Sequence, residues 1–246
     1  MKAIILAAGT GKRLGDINND KPKCLLEFAG RSLLQRHLHN LNQHAISEII
    51  IITGYQQQQI LHELSATESS AAIRTIYNPD YQAGSIVSLF CAREFLQSGD
   101  NIVLMDADVL YDIRIIQTLI NTDLNNCFLL DRDFETGDEP VKLCVRDGLL
   151  IDFRKQIDKD LQFDFQGESV GFFRFSASTA NKLAELAQHY IDNNRTDEPY
   201  EEVIRDLLLA EPDTFDFEDI SGLSWIEIDF PEDIEYARKQ VLDHIE

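Results

Sequence analysis

The first stretch able to do chemistry is Leu6-Ala7-Ala8-Gly9-Thr10-Gly11-Lys12-Arg13-Leu14-Gly15, which sets close glycines and two cations directly after a short apolar run. Such a loop can turn several backbone N–H groups toward an anion, while Lys12 and Arg13 add charge-assisted bonds to phosphate oxygens. It reads as a triphosphate cradle. The Walker A arrangement is absent, because no Gly-Lys-Ser/Thr follows the first glycine at the required distance. The dinucleotide fingerprint also fails, since its third glycine falls one residue late and no acid ends the second strand. Two acidic pairs stand elsewhere, Asp106-Ala107-Asp108 and Glu227-Ile228-Asp229. Carboxylates two residues apart on extended backbone point the same way, which suits Mg²⁺, a hard cation that takes oxygen ligands. In a chain with 43 acids, either pair alone reads equally as a solvated strand end or helix cap.

Lys21-Pro22-Lys23-Cys24-Leu25-Leu26 follows the loop within ten residues. Together the two segments resemble the N-terminal signature of nucleotidyltransferases that activate sugar phosphates and small phosphoalcohols. Glu139 to Leu143, Val145 to Gly148, Gly167 to Phe172 and Trp225 to Asp233 look most like the phosphocholine cytidylyltransferase group, which includes relatives acting on phosphonoalkyl substrates. The resemblance implies an enzyme that transfers CMP from CTP to a small phosphoalcohol or phosphonate, releasing pyrophosphate, with Mg²⁺ as cofactor. It implies that Lys23 contacts the phosphates and stabilises charge in the transition state, with Arg13 beside it. It makes Asp106 a metal ligand, with Asp108 paired to it, and puts further ligands at Glu227 and Asp229. Cys24 departs from the family, where proline is common, and should not disturb Lys23.

Tyr55, Asn78, Gly84, Ser85 and Ser88 occupy positions where family members line the base pocket. The Ser85 and Ser88 hydroxyls could read a pyrimidine edge; equally, Ser85 could cap a helix. For the acceptor, the candidates are Asp131, Asp133, Glu168, Glu198, Tyr200 and Glu201, because an ammonium head needs carboxylates or aromatic faces around it. The segment Asp197 to Glu202 is placed like the acceptor-pocket segment of the choline group, or is simply an acidic helix start. Lys142, between apolar residues in a strand, is the candidate for gripping the acceptor phosphate.

These residues need elements to hold them. Lys2 to Leu6, Ile49 to Ile52, Ile73 to Tyr77 and Ile102 to Met105 read as strands. Between them, helical spacing appears at Leu33, Leu34, Leu38 and Leu41, at Ile60, Leu61 and Leu64, and from Ser85 to Leu96. This βαβ rhythm predicts an α/β fold: an open, mostly parallel, Rossmann-like mixed sheet with helices on both faces. The second half predicts a helix over Ile113 to Ile120, a strand at Cys127 to Leu130, and a hairpin turning at Asp147-Gly148. A strand at Phe172 to Phe175, helices from Ala177 and Glu201, a strand at Trp225 to Ile228 and a helix after Pro231 complete it. The expected organisation is one domain, residues 1–246, with a nucleotide-binding half (1–108) and a small β-rich acceptor-binding portion within 109–246.

The 22 Lys and Arg against 43 Asp and Glu give a net charge of −21, which argues against nucleic acid or anionic membrane as partner. No apolar run approaches the roughly 18 residues of a membrane helix, and no signal-peptide cleavage site follows the N-terminus; a cytoplasmic protein is expected, with a homodimer left open. The four cysteines form no CxxC pair and the six histidines share no ligand spacing, so neither zinc nor a histidine base is expected, and most histidines should lie at the surface. The rival readings are a nucleotidyltransferase for inositol phosphate or a sugar 1-phosphate, a glycosyltransferase with a similar nucleotide-sugar half, and a silent nucleotide-binding regulator.

Overall fold

The computed structural model describes residues 1–18, 20–134 and 137–245. Strand β1 (Lys2–Ala7) directs Ala3 and Ile5 into one apolar layer and Ile4 into the other, as a strand buried on both faces must. Two 3₁₀ stretches, Lys12–Asn18 and Lys23–Leu25, lead to a short hairpin of β2 (Glu27–Phe28) and β3 (Arg31–Ser32). Helix α1 (Leu33–Leu41) starts on a capping box: the Ser32 hydroxyl accepts from the Gln35 N–H, and the Gln35 side chain accepts from the Ser32 N–H. Then come β4 (Glu48–Thr53), α2 (Gln57–Ser65), β5 (Ala72–Tyr77), α3 (Ser85–Cys91), α4 (Arg93–Leu96) and β6 (Ile102–Asp106). The single helix expected from Ser85 to Leu96 is therefore two, parted at Ala92.

β1 runs parallel to both β4 and β6, and β4 runs parallel to β5, giving the order β5-β4-β1-β6. The chain leaves β1 on one side and returns on the other. The carboxyl ends of β1 and β6 therefore flank a switch point, the place where open α/β sheets bind ligands.

The second half contributes β7 (Val109–Tyr111), α5 (Ile113–Asn121), β8 (Cys127–Asp131), β9 (Lys142–Arg146), β10 (Leu149–Arg154) and β11 (Phe165–Phe175). It continues with α6 (Ala177–Asp192), α7 (Tyr200–Ala210), β12 (Asp216–Asp219), β13 (Trp225–Glu227), α8 (Pro231–Tyr236) and α9 (Leu242–Ile245). The expected strand at Phe172 to Phe175 is only the end of β11, which pairs antiparallel with β6 there and with β9 and β8 along its first part. The hairpin of β9 and β10 and the parallel pair of β8 and β12 complete one nine-stranded mixed sheet shared by both halves.

Residues of α3, α4, α6 and α7 pack on one face with Ile50, Leu104 and Phe173; those of α1, α2 and α5 pack on the other with Ile51, Met105 and Phe172. Each fully buried Ile, Leu or Phe contributes about 1.5–3 kcal/mol. A third cluster gathers Leu14, Phe28, Leu33, Leu110, Ile228 and Ile234, and so anchors the first loop, the second acidic triplet and the C-terminal helices to each other. Among the described residues no helix is long and apolar enough to cross a membrane.

Candidate active site

The two acidic triplets meet because β7 and β13 form a two-stranded ribbon in which Val109 pairs with Glu227. The Ile228 N–H donates to the Asp108 carbonyl (3.0 Å), and Asp233 accepts from the backbone N–H groups of Asp229 (2.8 Å) and Phe230 (2.6 Å), which fixes the chain entering α8. Asp108, Glu227 and Asp229 consequently bring carboxylate oxygens within 4.8 Å of one another. Asp106 lies outside that set, and its Oδ2 accepts from the Tyr200 hydroxyl at 2.7 Å.

Lys23 reaches this cluster because the 3₁₀ turn it opens buries Cys24 and Leu25, leaving the lysine to cross toward the sheet ends. Its ammonium donates to Asp108 Oδ2 at 3.0 Å and, in a very short contact, to Asp229 Oδ1. Arg13 donates to Asp229 Oδ2 at 2.7 Å and to Glu139 at 3.3 Å. Burial alone would lower the Lys23 pKa; Asp108 and Asp229 outweigh it and hold the ammonium above its ordinary range. Asp229 is burdened by burial too, yet Lys23 and Arg13 hold it below the usual carboxylate range.

Glu227 differs. Enclosure by the cleft walls, then repulsion from Asp108 and Asp229, pushes its carboxyl up to about 8, although the residue as a whole is solvent-exposed. Burial and the neighbouring Asp108, Glu201 and Glu227 hold Asp106 well above the usual carboxylate range. This excess of crowded oxygen donors, only partly neutralised by Lys23, suits a hard divalent cation.

Behind the triplet stands His37. It is fully buried on α1, with Nε2 at 3.2 Å from the Ala107 carbonyl and Nδ1 at 3.4 Å from the Tyr111 hydroxyl, its ring stacked on Tyr111. Burial pushes its pKa down to about 4, so the ring is neutral and can donate to one of these oxygens. His39, His62, His189 and His244 are exposed, as expected of most histidines; His37 is the exception, because it lies on the apolar stripe of Leu34, Leu38 and Leu41.

Beside Asp106 a small cavity opens, lined by Lys155, Tyr200, Glu201 and Glu227 together with Phe153 and Phe173. Gly171 forms part of its wall at φ 77°, and a Cβ there would meet Asp106 Oδ2 at 2.3 Å. Lys142 does not line this cavity. It is 9% exposed, and its ammonium donates to the carbonyls of Pro140 (3.1 Å) and Lys155 (2.6 Å), so its grip is on the backbone. The cation at the cavity is Lys155, paired with Glu139 at 3.3 Å, which sequence reasoning missed because it follows β10 without any motif.

Of the other acceptor candidates, Tyr200 and Glu201 line the cavity, whereas Asp131 is buried and accepts from the Trp225 indole N–H (2.7 Å) and the Asp133 backbone (2.8 Å). Asp133 itself is exposed, Glu198 pairs with Arg195 on the surface (3.5 Å), and Glu168 pairs in register with Lys142 and Asp131.

On the nucleotide side, Leu6 and Ala7 belong to β1, and the Ala8 carbonyl accepts from the Tyr55 N–H at 3.1 Å. Gly9, Lys12 and Arg13 are exposed, Thr10 partly so, and Gly11 is buried where the loop turns. The Tyr55 ring tilts against Tyr81 at 6.3 Å. Asn78 and Ser88 do not present themselves to a base: both are buried, the Asn78 amide donating to the Ser88 hydroxyl at 3.0 Å. Ser85 does not cap α3. Gly84 caps α3, and the Ser85 hydroxyl accepts the Tyr200 N–H at 2.9 Å, satisfying a free donor at the start of α7. A Cβ on Gly84 would fall 2.2 Å from the Glu198 carbonyl, so the two segments touch through backbone.

A glycine-containing loop, a lysine bracketed by acids and an oxygen-rich cluster meet at a parallel-sheet switch point. The chain belongs to the MobA-like NTP transferase domain family, whose pattern matches residues 3–189, and it is a nucleotidyltransferase. It is 26% identical over 254 residues to the CTP:phosphoglutamine cytidylyltransferase of Campylobacter jejuni, covering 96% of this chain and 98% of that one. It is 24% identical to the CMP-5'-(3-aminopropyl)phosphonate synthase of Streptomyces rubellomurinus, over 95% of this chain and 37% of that longer protein. In fold it is similar to the CTP:phosphocholine cytidylyltransferase of Streptococcus pneumoniae, with a TM-score of 0.76, 23% identity and 97% of each chain covered.

Proposed function

We propose that the protein transfers CMP from CTP to a small acceptor bearing a phosphate or phosphonate and a cationic group, releasing pyrophosphate. The observation that carries this reading is the Lys23 ammonium set between Asp108 and Asp229, beside the glycine-containing loop and next to an acidic cavity. An acceptor phosphate monoester has a second pKa of about 6, so the attacking oxygen is already ionised and no protein base is required. Positioning and electrostatics then carry the chemistry.

In this scheme Lys23 and Arg13 turn from their carboxylates to the triphosphate, with Lys12 and the loop amides at its outer oxygens. Lys155 holds the acceptor anion, and Glu201 faces its cationic end. Asp108, Glu227 and Asp229, with Asp106 adjoining, are the residues that would hold Mg²⁺, which supplies charge neutralisation at the reacting phosphates. CTP is preferred here on the cytidylyltransferase relatives at about one quarter identity.

Pyrophosphate release, measured with each nucleoside triphosphate against phosphoethanolamine, 2-aminoethylphosphonate, phosphocholine, inositol 1-phosphate and a sugar 1-phosphate, tests the reading. Turnover with CTP and an amine-bearing acceptor is expected; turnover confined to a sugar phosphate would sink it. Lys23→Ala should keep its circular-dichroism spectrum and lose about a hundredfold or more in kcat.

A further inference from the structure

Glu201 sits in the first turn of α7, where a carboxylate is favourable without any ligand, so its position alone identifies nothing. Its Oε2 does. That oxygen is buried at the cavity and no donor among the described residues reaches it. The nearby donors are engaged elsewhere: the Tyr200 hydroxyl on Asp106, and the Lys155 ammonium on Glu139. A buried acceptor without a partner is costly, and native structures leave few of them. Burial also raises the Glu201 pKa.

The apolar part of the wall is equally informative. Phe153 and Phe173 are fully buried and Tyr200 is 3% exposed. Their rings pack on one another edge to face, Phe153 with Phe173 at 5.8 Å and Phe173 with Tyr200 at 6.2 Å, and Phe173 also stacks on Phe175 at 5.9 Å. A trimethylammonium group has no N–H to give and gains its affinity from open aromatic faces. Each of these rings is already packed against a neighbouring ring.

We infer that the acceptor carries an ammonium with at least one N–H, that this N–H donates to Glu201 Oε2, and that Glu201 discriminates it from a quaternary ammonium. The inference rests on the reading of this cavity as the acceptor site of cytidylyl transfer. Its test is the N-methylated series of phosphoethanolamine, from the primary amine through the mono- and dimethyl compounds to phosphocholine, assayed for kcat/KM with CTP. The wild-type protein should hold activity while an N–H remains and drop about ten- to hundredfold at the third methyl.

In Glu201→Leu the fall at the third methyl should collapse, because a side chain with no acceptor oxygen cannot tell an N–H from a methyl. Equal use of phosphocholine and phosphoethanolamine by the wild-type protein, or an unchanged step in Glu201→Leu, overturns the inference and leaves cytidylyl transfer standing. Turnover of inositol 1-phosphate with none of the amines overturns the inference together with the cationic acceptor of the proposed reaction. The wild-type series decides the matter even if the variant does not fold.

Discussion

At the residue scale, the least comfortable group outside the cation cluster is Glu168. Burial, then repulsion from Asp131, pushes its carboxyl up to about 7, with Lys142 and Lys155 pulling the other way. The folded protein therefore keeps a proton that the unfolded chain releases near 4.5. The stability this lends is complete below the unfolded value and is lost as pH rises through about 7. Glu168→Gln, neutral throughout, should melt a few degrees higher than wild type at pH 8 and gain less at pH 5; equal gains at both would show that Glu168 is not protonated in the native state. Individual residues were unevenly legible. Lys23, Arg13, Asp108 and Asp229 could be picked out because their motifs name them. Lys155 and His37 could not, since a cation after a strand and a histidine in an apolar stripe gain meaning only from what the fold lays against them.

At the scale of elements, β11 positions more of the site than its sequence announces. Only Phe172, Phe173 and Phe175 look like strand, because Gln166 to Ser169 answer to β9, β8 and the cleft, and polar residues there erase the apolar alternation that marks a strand. The strand at Trp225 to Ile228 was expected, but its partner β7 is three residues, too short for periodicity, so the pairing that unites the two acidic triplets stayed hidden. Gly171 on β11 gives this a sharp test. An alanine would have to accept φ 77° and a methyl 2.3 Å from Asp106 Oδ2. At about 1–3 kcal/mol of strain the fold should survive, with Asp106 displaced and turnover reduced at least about tenfold. A Gly171→Ala protein with normal turnover would show that the Asp106 position is not needed.

For the whole molecule, the parallel core and the two helical layers follow from alternating apolar runs, which is why the fold class was readable, as was the antiparallel hairpin at Asp147-Gly148, while the length and pairing of β11 were not. Charge follows the same division: residues 1–105 carry nine acids and nine bases, whereas residues 106–246 carry 34 acids and 13 bases. The proposed nucleotide and acceptor sides differ in charge, yet they are bound together where Gly84 and Ile86 donate to the carbonyls of Thr196 and Glu198 at 2.8 and 3.2 Å. Gly84→Ala should force these backbones apart, lowering the melting temperature and raising KM for both substrates; a rise for the acceptor alone would mean the contact is local.

That backbone seam has a thermodynamic consequence. Segments that share hydrogen bonds cannot be ordered separately, so whatever firmness one substrate gives to its own side is felt by the other. Linkage makes the effect mutual: if bound acceptor tightens the hold on nucleotide by some factor, bound nucleotide tightens the hold on acceptor by the same factor. The seam at Gly84 would then act as a coupling between two binding equilibria, favouring the complex in which both reactants are present over either one held alone.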